Sequence, residues 1–339
     1  MNFKSRYLTG DGTHPTIVHM KAPILWQLPM KRVLYVLLPI TAASVYFFGW
    51  RSLVVLAVTN LAAFLTEFIF TRFTKEQVTS AVFVTGSLLA LSLPPTVPLW
   101  IAVVGAGFGV LFGKMVFGGF GKNVFNPALV GRIFIYVSFA TPMNARWVEP
   151  LAGSSLWGGF ARFASDAVSG ATPLSLLRGG KSVELFPLLW GNVSGSLGET
   201  SAILIAFGAI FLIWKKAANW RIVVSALLGF AALQAVFWLA GVRQSADPLN
   251  ALAAGGVLYG IAFMATDPIS ASQTQAGRWI YGAFIGAMIV LIRTFSIWPE
   301  GAMFAILLGN TFAPIVDHAV RQRQQKLKAR AAEGGAEAQ

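Results

Sequence analysis

Asp166, Ser169, Gly170, Ala171 and Thr172 form the stretch best suited to chemistry. Gly170 and Ala171 leave the backbone bare, so an enzyme could reach the Thr172 hydroxyl and modify it. Asp166, upstream, could orient a cofactor or a metal ion during that modification. The stretch lies within residues 141–200, the longest segment that cannot be a membrane span. One large polar loop in an otherwise apolar chain is where function is expected to concentrate. A second set of candidates is acidic: Glu67, Asp267 and Asp317 lie in or beside apolar runs. An ionisable group near a helix centre costs ~2.5–3.5 kcal/mol on insertion scales, so each marks a pairing or an ion pathway. Asp267 stands out because the chain breaks at Thr266-Asp267-Pro268, and its carboxylate with Thr266 and Ser270 offers hard oxygen ligands for a cation. The ordinary alternative for Glu67 is an interfacial salt bridge to Arg72. For Asp317 it is a solvated helix end.

Composition narrows the class. Of 339 residues, 56% are hydrophobic and 12% charged, and the mean hydropathy is +0.67. A soluble domain is about 25% charged, so this is a polytopic membrane protein. The chain has no cysteine, which excludes disulfides and a thiolate-held iron–sulfur cluster within it. Its three histidines, His14, His19 and His318, give poor support for zinc or a bis-histidine haem. Any electrons it handles would need an organic cofactor. The net charge of +13 flanks the apolar runs. That arrangement points to loops held at a membrane face and to anionic lipids, and nucleic acid is not an expected partner. No cleavable signal is expected, because the polar tail before the first apolar run is too long for an ordinary signal n-region.

These residues must be positioned by membrane helices. Apolar runs occupy 33–50, 53–70, 80–93, 98–117, 126–140, 201–214, 222–240, 249–265, 279–292 and 301–316. A full crossing needs ~17–25 residues, so the shorter runs require protein around them. Gly105, Gly109 and Gly113 make a small-residue stripe for close helix packing. Breaks at Ser92-Leu93-Pro94-Pro95 and at Asp267-Pro268 fall at matching places in two halves. The expected fold is an all-α polytopic membrane protein, with about ten transmembrane helices in two inverted five-helix repeats. Residues 1–32 form an N-terminal tail, 33–318 the membrane domain and 319–339 a basic C-terminal tail, the last nine residues without order. Most lysines and arginines then fall on one side, which places both termini in the cytoplasm of a bacterial inner-membrane protein and the Thr172 loop in the periplasm.

Six blocks carry a resemblance. They are Phe83-Val84-Thr85-Gly86-Ser87-Leu88-Leu89-Ala90-Leu91-Ser92-Leu93-Pro94-Pro95, the run from Gly118 through Gly121-Lys122-Asn123 and Asn126-Pro127 to Arg132, Asp166-Ala167-Val168-Ser169-Gly170-Ala171-Thr172, Gly191-Asn192-Val193-Ser194-Gly195-Ser196-Leu197-Gly198-Glu199-Thr200-Ser201, Met264-Ala265-Thr266-Asp267-Pro268-Ile269-Ser270-Ala271-Ser272, and Ala313-Pro314-Ile315-Val316-Asp317-His318. In this order they resemble the NqrB/RnfD family. Its members are the large membrane flavoprotein subunits of two related complexes, the sodium-translocating NADH:quinone oxidoreductase and the Rnf electron-transport complex. The resemblance implies FMN attached covalently to Thr172 through a phosphoester, with Asp166, Ser169, Gly170 and Ala171 completing the acceptor motif. It also implies a non-covalent riboflavin elsewhere. The implied partners are the other membrane, flavin and iron–sulfur subunits of the complex, a flavin transferase during maturation, and a quinone. A cofactor-free channel or small-solute transporter on the same helical scaffold is the alternative. Trp147, Trp157 and Trp190 are candidates either for interface anchoring or for packing against the flavin ring.

Overall fold

The structure, a computed structural model, describes residues 24–144, 147–151, 157–165, 168–169, 171–242 and 244–336. Helices dominate it. α1 (Leu28–Phe48) carries Pro29 in its first turn, where a missing N–H breaks no helical bond, and stops at Gly49 with φ 90°. α2 (Arg51–Thr74) follows directly. α3 (Ala81–Leu91) is short and almost wholly buried, and Pro94-Pro95 bars its continuation. α4 (Leu99–Val110) runs on through a π-helical turn, Leu111–Met115. α5 (Pro127–Ser138) is capped by Asn126, whose side-chain oxygen accepts from Ala128 N–H at 3.0 Å. Short helices α6 (Ala140–Asn144), α7 (Pro173–Arg178) and α8 (Leu185–Trp190) belong to the long loop.

The second half holds α9 (Ala202–Trp214), α10 (Trp220–Leu239), α11 (Pro248–Ala253), α12 (Val257–Tyr259) with a π-helical turn at Gly260–Met264, α13 (Gln275–Phe295) and α14 (Gly301–Ala336). By length and composition α1, α2, α10, α13 and α14 are, among the described residues, five helices able to cross a membrane. Four shorter apolar helices, α3, α4 with its π turn, α5 and α9, lie among them. The described structure also holds a short 3₁₀ turn, Gly158–Ala161, and two pairs of two-residue strands. β1 (Ile24–Leu25) runs parallel to β2 (Val78–Thr79), and β3 (Trp147–Val148) antiparallel to β4 (Val168–Ser169).

Three expected boundaries change. α1 begins at Leu28, inside the expected tail 1–32, because Pro29 suits a first helical turn. The run 249–265 is not one helix: Gly255 adopts φ 69° and splits it into α11 and α12, a turn that hydropathy does not register. The last helix does not stop near Val316. It continues through the basic segment to Ala336, so residues 331–336, expected without order, are helical.

The glycine stripe does what close packing requires. A Cβ on Gly109 would collide with the Pro127 carbonyl, and one on Gly113 would lie 2.7 Å from Pro127 Cα, so α4 and α5 touch backbone to backbone. The α10–α13 crossing repeats the device, with Gly229 against the Ala283 carbonyl and Gly282 against that of Ile222. Lipid tails compete equally for apolar side chains, so such close approach supplies much of the helix association. α2 packs on α4 and α4 on α5, and in the second half α10 packs on α13 and α13 on α14.

Candidate functional site

α5 connects two polar regions. At one end, with the 141–200 loop, lies a cavity of about 320 Å³. Here it is called the loop end. Thr172 sits on its rim, half-buried, as the N-cap of α7. Its Oγ1 accepts from Ser175 N–H at 3.3 Å, and Ser175 Oγ donates back to Thr172 O at 2.7 Å. The hydroxyl is therefore held in place, with its own proton still available. Tyr136, Trp147, Trp298 and Leu188 supply the apolar walls. Tyr136 and Trp298 meet with ring centroids 5.2 Å apart, tilted by 57°. The polar lining includes Ser196, Glu199 and Glu300.

Tyr136 OH and Ser196 Oγ are both buried without a hydrogen bond. Asn144 and Glu199 lie near them, yet no contact of normal geometry joins either pair. A buried polar atom without a partner is uncommon in a native protein and calls for a water or a ligand.

The cavity floor is an ion network. Arg132, on α5, donates from Nη1 to Glu199 Oε1 at 2.6 Å and from Nη2 to Glu300 Oε2. The network also touches the split helix. Glu199 rests on Gly256, where a Cβ would lie 2.7 Å from Oε1, beside the N-terminus of α12. Arg293 donates to the carbonyls of Ala251 and Ala254 at 2.8 and 3.0 Å, at the C-terminus of α11. Each half-helix thus faces the charge its dipole favours, a carboxylate at the start of one and a guanidinium at the end of the other.

The opposite end of α5 is tighter. Lys114, in the π turn after α4, is 1% exposed. Its Nζ lies 2.6 Å from Glu67 Oε2 and 2.7 Å from Thr79 Oγ1. Glu67 Oε1 accepts from Thr79 N–H and Oγ1 at 2.9 and 2.8 Å. Beside this cluster is a cavity of about 50 Å³, lined by Lys114, Asn126, Thr266 and Asp267. Asp267 accepts from Ser270 Oγ at 2.8 Å and from Ile269 N–H at 3.3 Å. Asn126 Nδ2 donates to Met264 O at 3.2 Å, and Asn310 Nδ2 to Ser270 O at 3.2 Å. Two asparagines therefore hold the break at Asp267-Pro268 from both sides.

The expected site residues separate accordingly. Thr172 and Ala171 are described; Asp166 and Gly170 lie outside the described residues, as does the side chain of Ser169. Of the three tryptophans, Trp147 lines the loop-end cavity, whereas Trp157 and Trp190 are 71% and 57% exposed. Glu67 pairs with Lys114 and not with Arg72 among the described ion pairs. Asp317 is 7% exposed, and its two oxygens take four hydrogen bonds from Ser272, Gln273 and Thr274, ahead of α13. Glu67 and Asp267 come to one region; Asp317 caps another helix. Among the described residues no three His, Cys, Asp or Glu side chains cluster to hold a metal ion. Lys114, Arg132, Glu199, Glu300 and Trp298 are functional candidates that the sequence motifs do not single out. The two cations inside apolar helices were the available signal, since an intramembrane charge needs a partner.

Comparison with known proteins adds the context. The model of the NQR2, RnfD, RnfE family matches residues 14–326. The B-type subunit of the Na(+)-translocating NADH-quinone reductase of Ectopseudomonas mendocina is 42% identical over 286 residues, 80% of this chain and 67% of its own length. The protein of that name from Pseudomonas aeruginosa is 40% identical over 299 residues, 82% of this chain and 70% of its own. The D-type subunit of the ion-translocating oxidoreductase complex of Salmonella paratyphi A is 36% identical over 326 residues, covering 87% and 92%.

Proposed function

The chain belongs to the NQR2, RnfD, RnfE family, and from that footing we propose that it is the membrane subunit of a redox-driven, ion-translocating electron-transport complex that carries FMN esterified to Thr172. The observation that carries the reading is a positioned threonine hydroxyl on the rim of a cavity of about 320 Å³. That size falls within the ~300–1,000 Å³ typical of ligand pockets. Aromatic walls and two unpaired hydroxyls fit a planar heteroaromatic group with one polar edge.

FMN there would supply electron transfer between partners that exchange one or two electrons. The chain's own residues do the rest. Thr172 fixes the tether, with Asp166, Ser169, Gly170 and Ala171 as the motif that a flavin transferase reads. Trp298, Tyr136 and Leu188 exclude water from the cavity walls. The ion network of Arg132, Glu199 and Glu300 sets the charge of the floor. At the other end Asp267 is the acid that lines open space, so the ion pathway runs past it. Glu67 holds Lys114 there and Asp317 shapes the loop before α13.

The same reading assigns NADH or ferredoxin oxidation to other subunits, with a quinone among the electron acceptors and riboflavin as a second, untethered flavin. Ten crossings in two inverted five-helix halves would put the Thr172 loop in the periplasm and both termini in the cytoplasm. The corresponding order of helix packing in the two halves supports that arrangement. The test is direct. Expressed with its flavin transferase, the chain should fluoresce in a denaturing gel, and Thr172→Ala should abolish the band. A bare polypeptide mass in both forms would remove the electron-carrier reading and leave a channel or transporter.

A further inference from the structure

We propose that Tyr136, together with Ser196 on the same cavity, is the positioning residue that hydrogen-bonds the polar edge of the ring in the loop-end cavity and sets its reduction potential. The inference rests on the flavin reading above and goes further by naming what holds the ring.

Tyr136 is 1% and Ser196 2% exposed, and both hydroxyls lack a hydrogen-bond partner while lining the cavity that has Thr172 on its rim. Desolvating a hydroxyl without a partner is unfavourable, so two of them at one cavity mark where an acceptor is to be received. The phenol cannot swing away. Its ring is wedged between Trp298 at 5.2 Å and Phe304 at 6.4 Å. Arg132, one helical turn earlier on α5, is pinned by Glu199 and Glu300, which keeps that face of the helix in register with the cavity. A tether at Thr172 fixes one end of the guest, and the hydroxyl pair would fix the other, so the ring has one orientation. The carbonyl oxygens of such a ring become more electron-rich on reduction. A fixed O–H donor therefore stabilises the reduced form more than the oxidised form, and its removal lowers the potential.

The experiment uses the full chain, matured with its flavin transferase and purified in detergent. Tyr136→Phe keeps the ring packing and removes one oxygen; Ser196→Ala is the second variant, and Tyr35→Phe, at an exposed site on α1, is the control. Tyr136→Phe should retain the flavin mass on the Thr172 peptide, yet the ratio of reduced to oxidised flavin at fixed potential should fall about tenfold, ~30 mV downward for a two-electron couple. Ser196→Ala should shift it in the same direction by less, and Tyr35→Phe should leave it in place. Flavin attached with an unmoved potential in both cavity variants overturns this inference while the flavin reading stands. A wild-type peptide without flavin overturns both. If Tyr136→Phe fails to fold, the potential of Ser196→Ala decides.

Discussion

At the loop end of α5 two hydroxyls are left open beside about 320 Å³ of space, while at the other end every oxygen of Glu67 has a donor beside a cavity of about 50 Å³. Both regions carry a cation inside an apolar helix, Lys114 in one and Arg132 in the other. The difference lies in what the cation does. Lys114 closes a fully hydrogen-bonded cluster that ties α2, β2 and the π turn after α4 together. Arg132 forms the floor of a space made for something else. Saturation marks a pin, and unfilled valence beside a void marks a receiving site.

That contrast can be broken in stages. Lys114→Met should have the largest effect. It leaves the Glu67 carboxylate buried without its cation and should cost ~3–5 kcal/mol, read as a fall in unfolding free energy in detergent. The double variant with Glu67→Gln should recover most of it, because the burial of two charges is then avoided. Arg132→Met should fall at the lower end of that range, ~3 kcal/mol, because Glu300 is 16% exposed although Glu199 stays buried. A larger loss at Arg132 than at Lys114 would mean that the loop-end network is the tighter pin, and the distinction would fall. Gly256→Ala should have the smallest effect, ~1–2 kcal/mol, by pressing a methyl on Glu199. A larger change in flavin potential than in stability for that variant would tie the split helix to the receiving site.

Much of the scaffold was legible in the sequence, because hydropathy and proline act locally. Pro94-Pro95 and Asp267-Pro268 end helices where their chemistry demands, and Gly105, Gly109 and Gly113 announce a backbone contact that the structure contains. The turn at Gly255-Gly256 was not legible, because its neighbours Ala253, Ala254 and Val257 keep the run apolar. The candidate site divides in the same way. Thr172 is announced by its motif. Lys114 and Glu67 are separated by 47 residues, and Arg132 and Glu300 by 168, so only folding brings them together. Glu199 and Glu300 stand in loops by sequence and come to lie buried and half-buried because α5 aims Arg132 between them.

α14 has 36 residues, about 54 Å at 1.5 Å per residue, whereas the hydrocarbon of a bilayer is ~30 Å thick. Its final turns must therefore stand clear of the lipid as a mast, with Arg321, Arg323, Lys326 and Lys328 exposed along it. Electrostatic reach in cell-like salt is ~8 Å, so this helix carries its field well past the headgroups into the surrounding water. An acidic molecule approaching that face would feel the mast before it touched the bundle.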